Sequence, residues 1–272
     1  MSGIQRIDLG TPALLEFRGP DAVRFLNGQL TQDVRRVAGG EISLPSCVTD
    51  AKGRLQFRVW ITENAGALWI ECPPDRPADL EARLTRYLIA DDVEVADLTG
   101  SYALFHFTGP MRPPPPGGLA RAANRLGIAG TDWWLPPGVV PDFPLWEGDA
   151  LEALRIANGI PAWGRELMEG MLPPEALLEE TDISYNKGCY IGQEVISRIK
   201  SAGKVNRRLT RLVFDADAPV TPGPLAHGAG EVTSVSPLAT GGIRHALGYI
   251  KRGATELAYP SADGTVYPVR SL

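Results

Sequence analysis

The chain has 272 residues, of which 44% are hydrophobic, and its formal net charge at pH 7 is −5. A chain of this length can bury a substantial core, which we expect to be split between about two or three domains. The acidic balance, without any block of five like charges, argues against a nucleic-acid partner. No apolar run approaches the roughly 20 residues that span a bilayer.

The three cysteines, Cys47, Cys72 and Cys189, are far apart and lack CxxC spacing. Neither a disulfide framework nor a cysteine-rich zinc site is therefore predicted. Residues 1–6 do not have the composition of a signal or transit peptide. We expect a cytoplasmic protein with no membrane or nucleic-acid partner and no resident metal.

The first part of the chain mixes strand and helix patterns without strict alternation. Strands are predicted at residues 13–17, 42–49, 55–61, 67–70, 93–95 and 102–107. Helices are predicted after residue 21, after residue 77 and over residues 147–158, where apolar residues keep helical spacing. This mixture predicts an α+β fold with largely antiparallel sheets.

Residues 50–53 form a predicted turn between two strands, and Asp50 and Lys52 lie in it. Turn chemistry alone could account for both residues. From residue 205 onward, short alternating segments separated by Gly and Pro predict a small β-barrel or sandwich. The predicted domains are residues 1–200, an α+β region of two subdomains, and residues 201–272, a small β-barrel.

The most informative stretch is residues 187–194, Lys-Gly-Cys-Tyr-Ile-Gly-Gln-Glu. A helix pattern follows, so Cys189 is predicted just ahead of a helix N-terminus, where unpaired N–H groups and the helix dipole favour an anion. Lys187 adds positive charge, and Gly188 and Gly192 allow a tight turn or close approach to a ligand. These features favour a reactive thiolate. A small buried hydrophobic residue is the alternative for Cys189.

This octapeptide resembles the signature of the YgfZ family, folate-binding iron–sulfur cluster assembly proteins related to the glycine-cleavage T-protein. Further stretches agree with the family in order: Gly19-Pro20-Asp21, Phe25-Leu26-Asn27-Gly28-Gln29, Asp50-Ala51-Lys52-Gly53-Arg54, Leu154-Arg155-Ile156 and Leu172-Pro173-Pro174-Glu175. The resemblance covers nearly the whole chain and is thinnest between about residues 108 and 145.

The resemblance implies a T-protein-like α+β region around a central cavity that binds tetrahydrofolate, followed by a small C-terminal β-barrel. It implies that Arg155 helps to bind folate and that the turn with Asp50 and Lys52 lies near the cavity. A solvated charge at a helix end is the ordinary explanation for Arg155. The signature also implies a site around Cys189 made by Lys187, Gly188, Tyr190, Gly192, Gln193 and Glu194.

Two functions compete, and the sequence leaves open whether the chain is an enzyme. An aminomethyltransferase of T-protein type needs a carboxylate beside the reacting folate nitrogen. The T-protein relatives have an acidic pair after the glycine of the second hairpin strand. Here the residues after Gly53 are Arg54-Leu55-Gln56-Phe57-Arg58, without an acid. This difference disfavours the transferase.

The second function is assembly, insertion or repair of 4Fe–4S clusters in client enzymes, with Cys189 as the candidate catalytic residue. Its thiol could hold a cluster transiently or exchange sulfur or electrons with a client. One cysteine cannot supply the four thiolates of an ordinary cluster, so further ligands would come from a second subunit, an assembly or client protein, or a small thiol. A vestigial scaffold without thiol chemistry is the third possibility.

Overall fold

A computed structural model describes residues 4–109, 112–203 and 205–272, and in it the chain divides into two compact units. The first unit holds the described residues up to Trp146 together with Glu179–Ser197, and the second holds Glu147–Leu178 together with Arg198–Leu272. Of residues 1–6, whose composition is unlike a signal or transit peptide, the first three lie outside the described residues.

These units differ from the predicted domains in one segment. The predicted boundary at residue 201 lies close to the observed division at Ser197, but residues 147–178 belong to the second unit. The reason is that the helix within this segment packs on strands of the C-terminal sheet. The order of the elements in the sequence does not show that residues 147–178 pack with the C-terminal sheet.

The first unit contains nine strands and two helices among its described residues. The strands are β1 Arg6–Asp8, β2 Ala13–Arg18, β3 Leu44–Thr49, β4 Leu55–Asn64, β5 Ala67–Cys72, β6 Glu94–Asp97, β7 Ala103–Thr108, β8 Leu119–Ala123 and β9 Gly130–Leu135. The helices are α1 Ala22–Gln29 and α2 Pro77–Thr85.

Two antiparallel sheets form the frame of the first unit. One has the strand order β3-β4-β5-β2-β6 and the other the order β1-β7-β9-β8. The predicted strands correspond to β2–β7, whereas β1, β8 and β9 were not predicted. All pairs between the named strands of these sheets are antiparallel, which confirms the expected sheet type.

Strand β4 has one apolar and one polar face because side chains alternate along a strand. Phe57, Val59 and Ile61 are buried in the core that α1 and α2 cover. Gln56, Arg58 and Trp60 therefore project from the opposite side, which we call the polar face of β4. This face carries several of the charged groups described below.

The second unit contains helix α3 Gly148–Ala157 and seven strands among its described residues. They are β10 Arg207–Asp215, β11 Gly223–Pro224, β12 Gly230–Thr240, β13 Ile243–Lys251, β14 Ala258–Pro260, β15 Val266–Pro268 and β16 Arg270–Ser271. Five of them form a sheet in the order β11-β12-β13-β10-β16, and β14 pairs with β15. Closure into a barrel stays a prediction.

The remaining helices are short or span the division between the units. Helix α4 covers Gln193–Ala202 and begins in the first unit. Short 3-10 helices cover Val34–Arg36, Pro173–Ala176, Leu178–Glu180 and Ala226–Gly228.

Candidate functional site

Cys189 is exposed on a loop, residues 184–192, that we call the thiol loop. Two hydrogen bonds fix its C-terminal end to the first unit. The Ile191 N–H donates to the Gly28 carbonyl of α1 at 3.2 Å, and the Thr49 hydroxyl donates to the Ile191 carbonyl at 2.6 Å. The thiol is thus presented on a loop whose backbone is anchored.

Lys187 anchors the other side of this loop. Its ammonium donates to three backbone carbonyls at 2.7–2.8 Å, those of Asn27, Leu30 and Gln32. These carbonyls lie at the end of α1, where helix carbonyls lack partners within the helix. Burial lowers the pKa of Lys187 to about 7, with nearby Asp33 opposing the shift. We expected Lys187 to add charge beside Cys189, but its donors are directed to the backbone.

The two glycines of the signature differ in their surroundings. Gly192 has a φ of +88°, and a Cβ there would lie 2.5 Å from the Asp50 carbonyl oxygen and 2.7 Å from the Thr49 hydroxyl. The close packing of the thiol loop on the β3–β4 turn therefore requires glycine. A Cβ on Gly188 would meet nothing within 4 Å, so no close packing within the chain requires glycine at that position.

The other signature residues have structural contacts or are exposed. Tyr190 is buried with Ile183 and Ile196 in a small apolar cluster, and burial raises the pKa of its phenol. Gln193 is the first residue of α4, and its side-chain oxygen accepts a hydrogen bond of 3.4 Å from the Tyr190 N–H. Glu194 is exposed. Cys189 precedes the helix by four positions, not immediately.

The three cysteines differ sharply in their environment. Cys47 and Cys72 are buried, with exposed fractions of 0% and 4%. Burial, reinforced by the Asp182 carboxylate, raises the pKa of the Cys47 thiol well above its usual range. Burial likewise raises the pKa of Cys72 to about 12. Cys189 is the cysteine of this chain whose thiol meets solvent.

Arg58 and Asp182 form an ion pair on the polar face of β4. Arg58 donates to both Asp182 carboxylate oxygens, at 2.7 and 3.1 Å, and the Asp182 side chain is fully buried. Cys47 is the register partner of Arg58 on β3 and lies on the same face. A buried carboxylate of this kind needs its cationic partner, so Arg58 holds a positive charge in this part of the first unit.

Two more arginines bind side chains of the same sheet. Arg83 of α2 donates to Gln56 at 2.6 Å and also to the Thr49 carbonyl at 2.6 Å. Arg125 donates to both oxygens of Glu71, at 3.0 and 2.6 Å, and stacks over the Trp60 ring at 4.2 Å. Arg125 also pairs with buried Asp132, whose other oxygen is 2.8 Å from the His106 ring nitrogen.

Asp50 and Lys52 occupy the β3–β4 turn, as predicted. One Asp50 carboxylate oxygen accepts hydrogen bonds from the backbone N–H groups of Lys52 and Arg54, at 2.8 and 2.9 Å. This is ordinary turn chemistry, which the sequence had left open. Lys52 is exposed, and among the described residues no carboxylate lies within 4.0 Å of its ammonium.

Arg155 lies at the end of α3 in the second unit, where all five of its N–H donors have acceptors. The acceptors, at 2.6–3.1 Å, are the two Glu152 oxygens, the Ile160 carbonyl, Glu166 and the Ser234 hydroxyl. Glu166 is fully buried and also accepts from the Ser234 hydroxyl at 2.6 Å. A solvated helix-end charge is therefore the wrong description of Arg155, and no N–H remains free for a folate carboxylate.

The chain is similar in sequence to several known proteins. No family model matches the chain. It is 28% identical to a tRNA-modifying protein YgfZ of Sodalis glossinidius, over 80% of this chain and 74% of that protein. It is 24% identical to a mitochondrial iron–sulfur cluster assembly factor of Cryptococcus neoformans, over 74% of this chain but only 64% of the fungal protein.

A solved structure shares the fold. The aminomethyltransferase T of the glycine cleavage system from Bartonella henselae superimposes with a TM-score of 0.81, covering 100% of this chain and 85% of that one, at 19% identity. The chain is similar to proteins of the YgfZ family. Its T-protein-like fold with antiparallel sheets, expected from the sequence, is thereby confirmed.

The structure places some of the predicted site residues close to one another. Cys189, Lys187 and Gly192 share the thiol loop, and Gly192 packs on the turn that holds Asp50. Arg155 belongs to the second unit with its own partners. Sequence reasoning missed Arg83, Arg125, Thr49 and Asp182, because each acts through a partner far away in the chain.

Among the described residues of the chain, no group of three or more His, Cys, Asp or Glu side chains could hold a metal ion. None of its described helices is long and apolar enough to cross a membrane.

Proposed function

We propose that this chain assists the assembly, insertion or repair of 4Fe–4S clusters in client enzymes, using Cys189 and bound tetrahydrofolate. The carrying observation is that Cys189 alone of the three thiols is exposed, on a loop anchored from both sides. The name of the fungal relative, an iron–sulfur cluster assembly factor, supports the same role. A cytoplasmic location and the absence of a nucleic-acid partner stay predictions.

Cys189 would act as a thiolate, since the thiolate is the nucleophile and the metal ligand. It can contribute one ligand to a cluster in transit, and the other ligands would come from an assembly protein, a client or a small thiol. Lys187 and Gly192 position the thiol by fixing the loop rather than by reacting themselves. The cluster is cargo, so no resident metal site is needed.

Tetrahydrofolate fits the residues predicted for it only in part. Lys52 is exposed without a carboxylate within 4.0 Å among the described residues, so it can pair with the acidic glutamate tail. Asp50 supports the turn that presents Lys52. Arg155 does not fit as a direct contact, because its five donors are already engaged. When bound, tetrahydrofolate supplies a reduced pterin that accepts one-carbon units.

The alternative, an aminomethyltransferase, is disfavoured by charge. T-protein relatives have an acidic pair in the segment after the hairpin glycine, and this chain has Arg58 there, paired with Asp182. A carboxylate would stabilise positive charge on the reacting folate nitrogen, whereas a guanidinium destabilises it. The neighbouring Gln56 is neutral and does not replace the missing carboxylate. The polar face of β4 therefore suits binding without aminomethyl transfer.

The decisive experiment replaces one sulfur atom by oxygen. In cells that lack the native protein, Cys189→Ser should fold, bind tetrahydrofolate as the unchanged protein does, and fail to restore 4Fe–4S enzyme activity. Cys72→Ala, which removes a buried thiol, should restore it. Alkylation of the folded protein at pH 8 should label Cys189 much faster than Cys47 or Cys72. Full restoration by Cys189→Ser would leave the scaffold as the better description.

A further inference from the structure

A cleft of about 380 Å³ opens between two turns of the second unit. Its lining consists of residues 227–229 and 251–256. This volume lies within the range of roughly 300–1,000 Å³ that is usual for small-molecule sites. None of the lining residues belongs to the thiol loop or to the residues predicted for folate, so the proposed function leaves the cleft without a role.

Backbone hydrogen bonds hold the walls of the cleft together. The Lys251 N–H donates to the Ala229 carbonyl at 2.8 Å, which ties one turn to the other. The Ala254 N–H donates to the Lys251 carbonyl at 3.2 Å and closes the second turn. His227 has a φ of 54°, which non-glycine residues adopt rarely, and Gly228 follows at 65°. The cleft is thus shaped by ordered backbone.

Three basic side chains line the cleft, those of His227, Lys251 and Arg252, and all three are exposed. Within the part of the chain that the structure describes, none of them has a carboxylate within 4.0 Å. The Lys251 ammonium lies 3.8 Å from where a Cβ on Gly228 would stand, which places it over the first turn. Glu256 is the one acid of the lining. This local positive charge contrasts with the chain's net charge of −5.

The geometry points to a binding site for a small molecule with one phosphoryl group and neutral hydroxyls. Arg252 can bind two phosphoryl oxygens with its planar guanidinium, and Lys251 adds a compact charge. His227 contributes a ring nitrogen from the facing turn. Glu256 can accept from a hydroxyl of the same ligand, but it repels a second anionic group. A sugar phosphate therefore fits better than a polyanionic backbone.

Nuclear magnetic resonance titration of the full chain tests this site. Ribose 5-phosphate should shift the backbone amides of Gly228 and Gly253 with saturation, and ribose should not. Lys251→Gln and Arg252→Gln should each raise the Kd at least tenfold. Arg270→Gln, which removes another exposed cation of the same unit outside the cleft, should leave it unchanged. Added salt should weaken binding, since the site is exposed.

Several results would overturn the proposal. They are no saturable shift with ribose 5-phosphate, shifts spread equally over other basic residues, or an unchanged Kd in both cleft variants that retain the native spectrum. Inorganic phosphate binding as tightly as ribose 5-phosphate would mean that the hydroxyl contacts are absent, and it would also contradict the proposal. If one variant fails to fold, the other decides, because the two side chains are tested separately.

Discussion

Lys187 in the first unit and Arg155 in the second are both basic residues of the predicted site. Both direct their N–H donors to acceptors within the protein. Lys187 gives three hydrogen bonds to backbone carbonyls, and Arg155 gives five to side chains and a carbonyl. The difference lies in what they hold. Lys187 fixes a loop that exposes Cys189, whereas Arg155 closes a network without an exposed reactive atom. A cation in a family motif can therefore serve anchoring rather than ligand binding.

The largest effect is expected from Arg155→Ala, which leaves buried Glu166 without its cation. Removing one partner of a buried ion pair costs about 3–5 kcal/mol, so the urea midpoint of unfolding should fall strongly. Arg165→Ala is the matched control, because Arg165 pairs with the same Glu152 but is 56% exposed. Its cost should stay within about 1 kcal/mol.

If Arg155→Ala left the urea midpoint unchanged and weakened tetrahydrofolate binding tenfold or more, Arg155 would be a folate ligand. The network around Glu166 would then be a resting arrangement that folate replaces. Loss of stability with unchanged folate affinity in the folded fraction supports the anchoring role instead.

The fold was predictable where side-chain patterns are local. Local strand patterns located β2–β7, and the absence of strict strand–helix alternation predicted the antiparallel sheets. Strands β8 and β9 were missed, because β9 is buried at all six positions and shows no alternation. The placement of residues 147–178 was also missed, since it depends on long-range packing of α3.

The site was predictable as a sequence motif but not as a set of contacts. The octapeptide identified Cys189 and the tight approach at Gly192, which need only local chemistry. The partners of Lys187 lie 155–160 residues earlier, and Asp182 lies 124 residues after Arg58. No periodicity in the sequence encodes such pairs. They become visible only when the strands and loops are assembled.

The next largest effect is expected at Gly192. Gly192→Ala combines a positive φ with a Cβ only 2.5 Å from the Asp50 carbonyl oxygen, so the loop and the turn must separate. The cost should be about 2–4 kcal/mol, from backbone strain and overpacking together. Gly188→Ala has open space and should change the unfolding free energy by less than about 0.5 kcal/mol. Equal effects of both variants on thermal unfolding would contradict the packing described for the loop.

Lys187→Met removes the charge but keeps most of the apolar stem. Hydrogen bonds to a charged group contribute about 1.5–3 kcal/mol. Burial already penalises this ammonium, as its pKa of about 7 indicates, so we expect a net loss of about 2 kcal/mol. Hydrogen exchange of the Ile191 amide should accelerate as the thiol loop loosens. Unchanged exchange together with much slower alkylation of Cys189 would show that Lys187 acts on the thiol by charge.

The smallest effect is expected at Glu152, one of the two carboxylates that pair with Arg155. Hydrogen bonds from Arg155 lower the pKa of Glu152, with burial opposing the shift. A carboxyl group whose pKa is lower in the folded state stabilises the protein above its unfolded pKa of about 4.3. That contribution disappears as the pH falls through the folded pKa. Because the Glu152 side chain is 30% exposed, solvent screening keeps the contribution below about 1 kcal/mol.

Glu152→Gln should therefore lower the urea midpoint slightly at pH 7, and the gap to the unchanged protein should close as the pH falls below about 4.3 and through the lowered folded-state pKa of Glu152. The glutamine oxygen can still accept from Arg155, so geometry is largely kept and charge alone is tested. A gap that stays constant over this pH range would mean that Glu152 acts through packing. The second unit would then hold Arg155 mainly through Glu166, which would sharpen the contrast with Lys187, whose partners are all uncharged carbonyls.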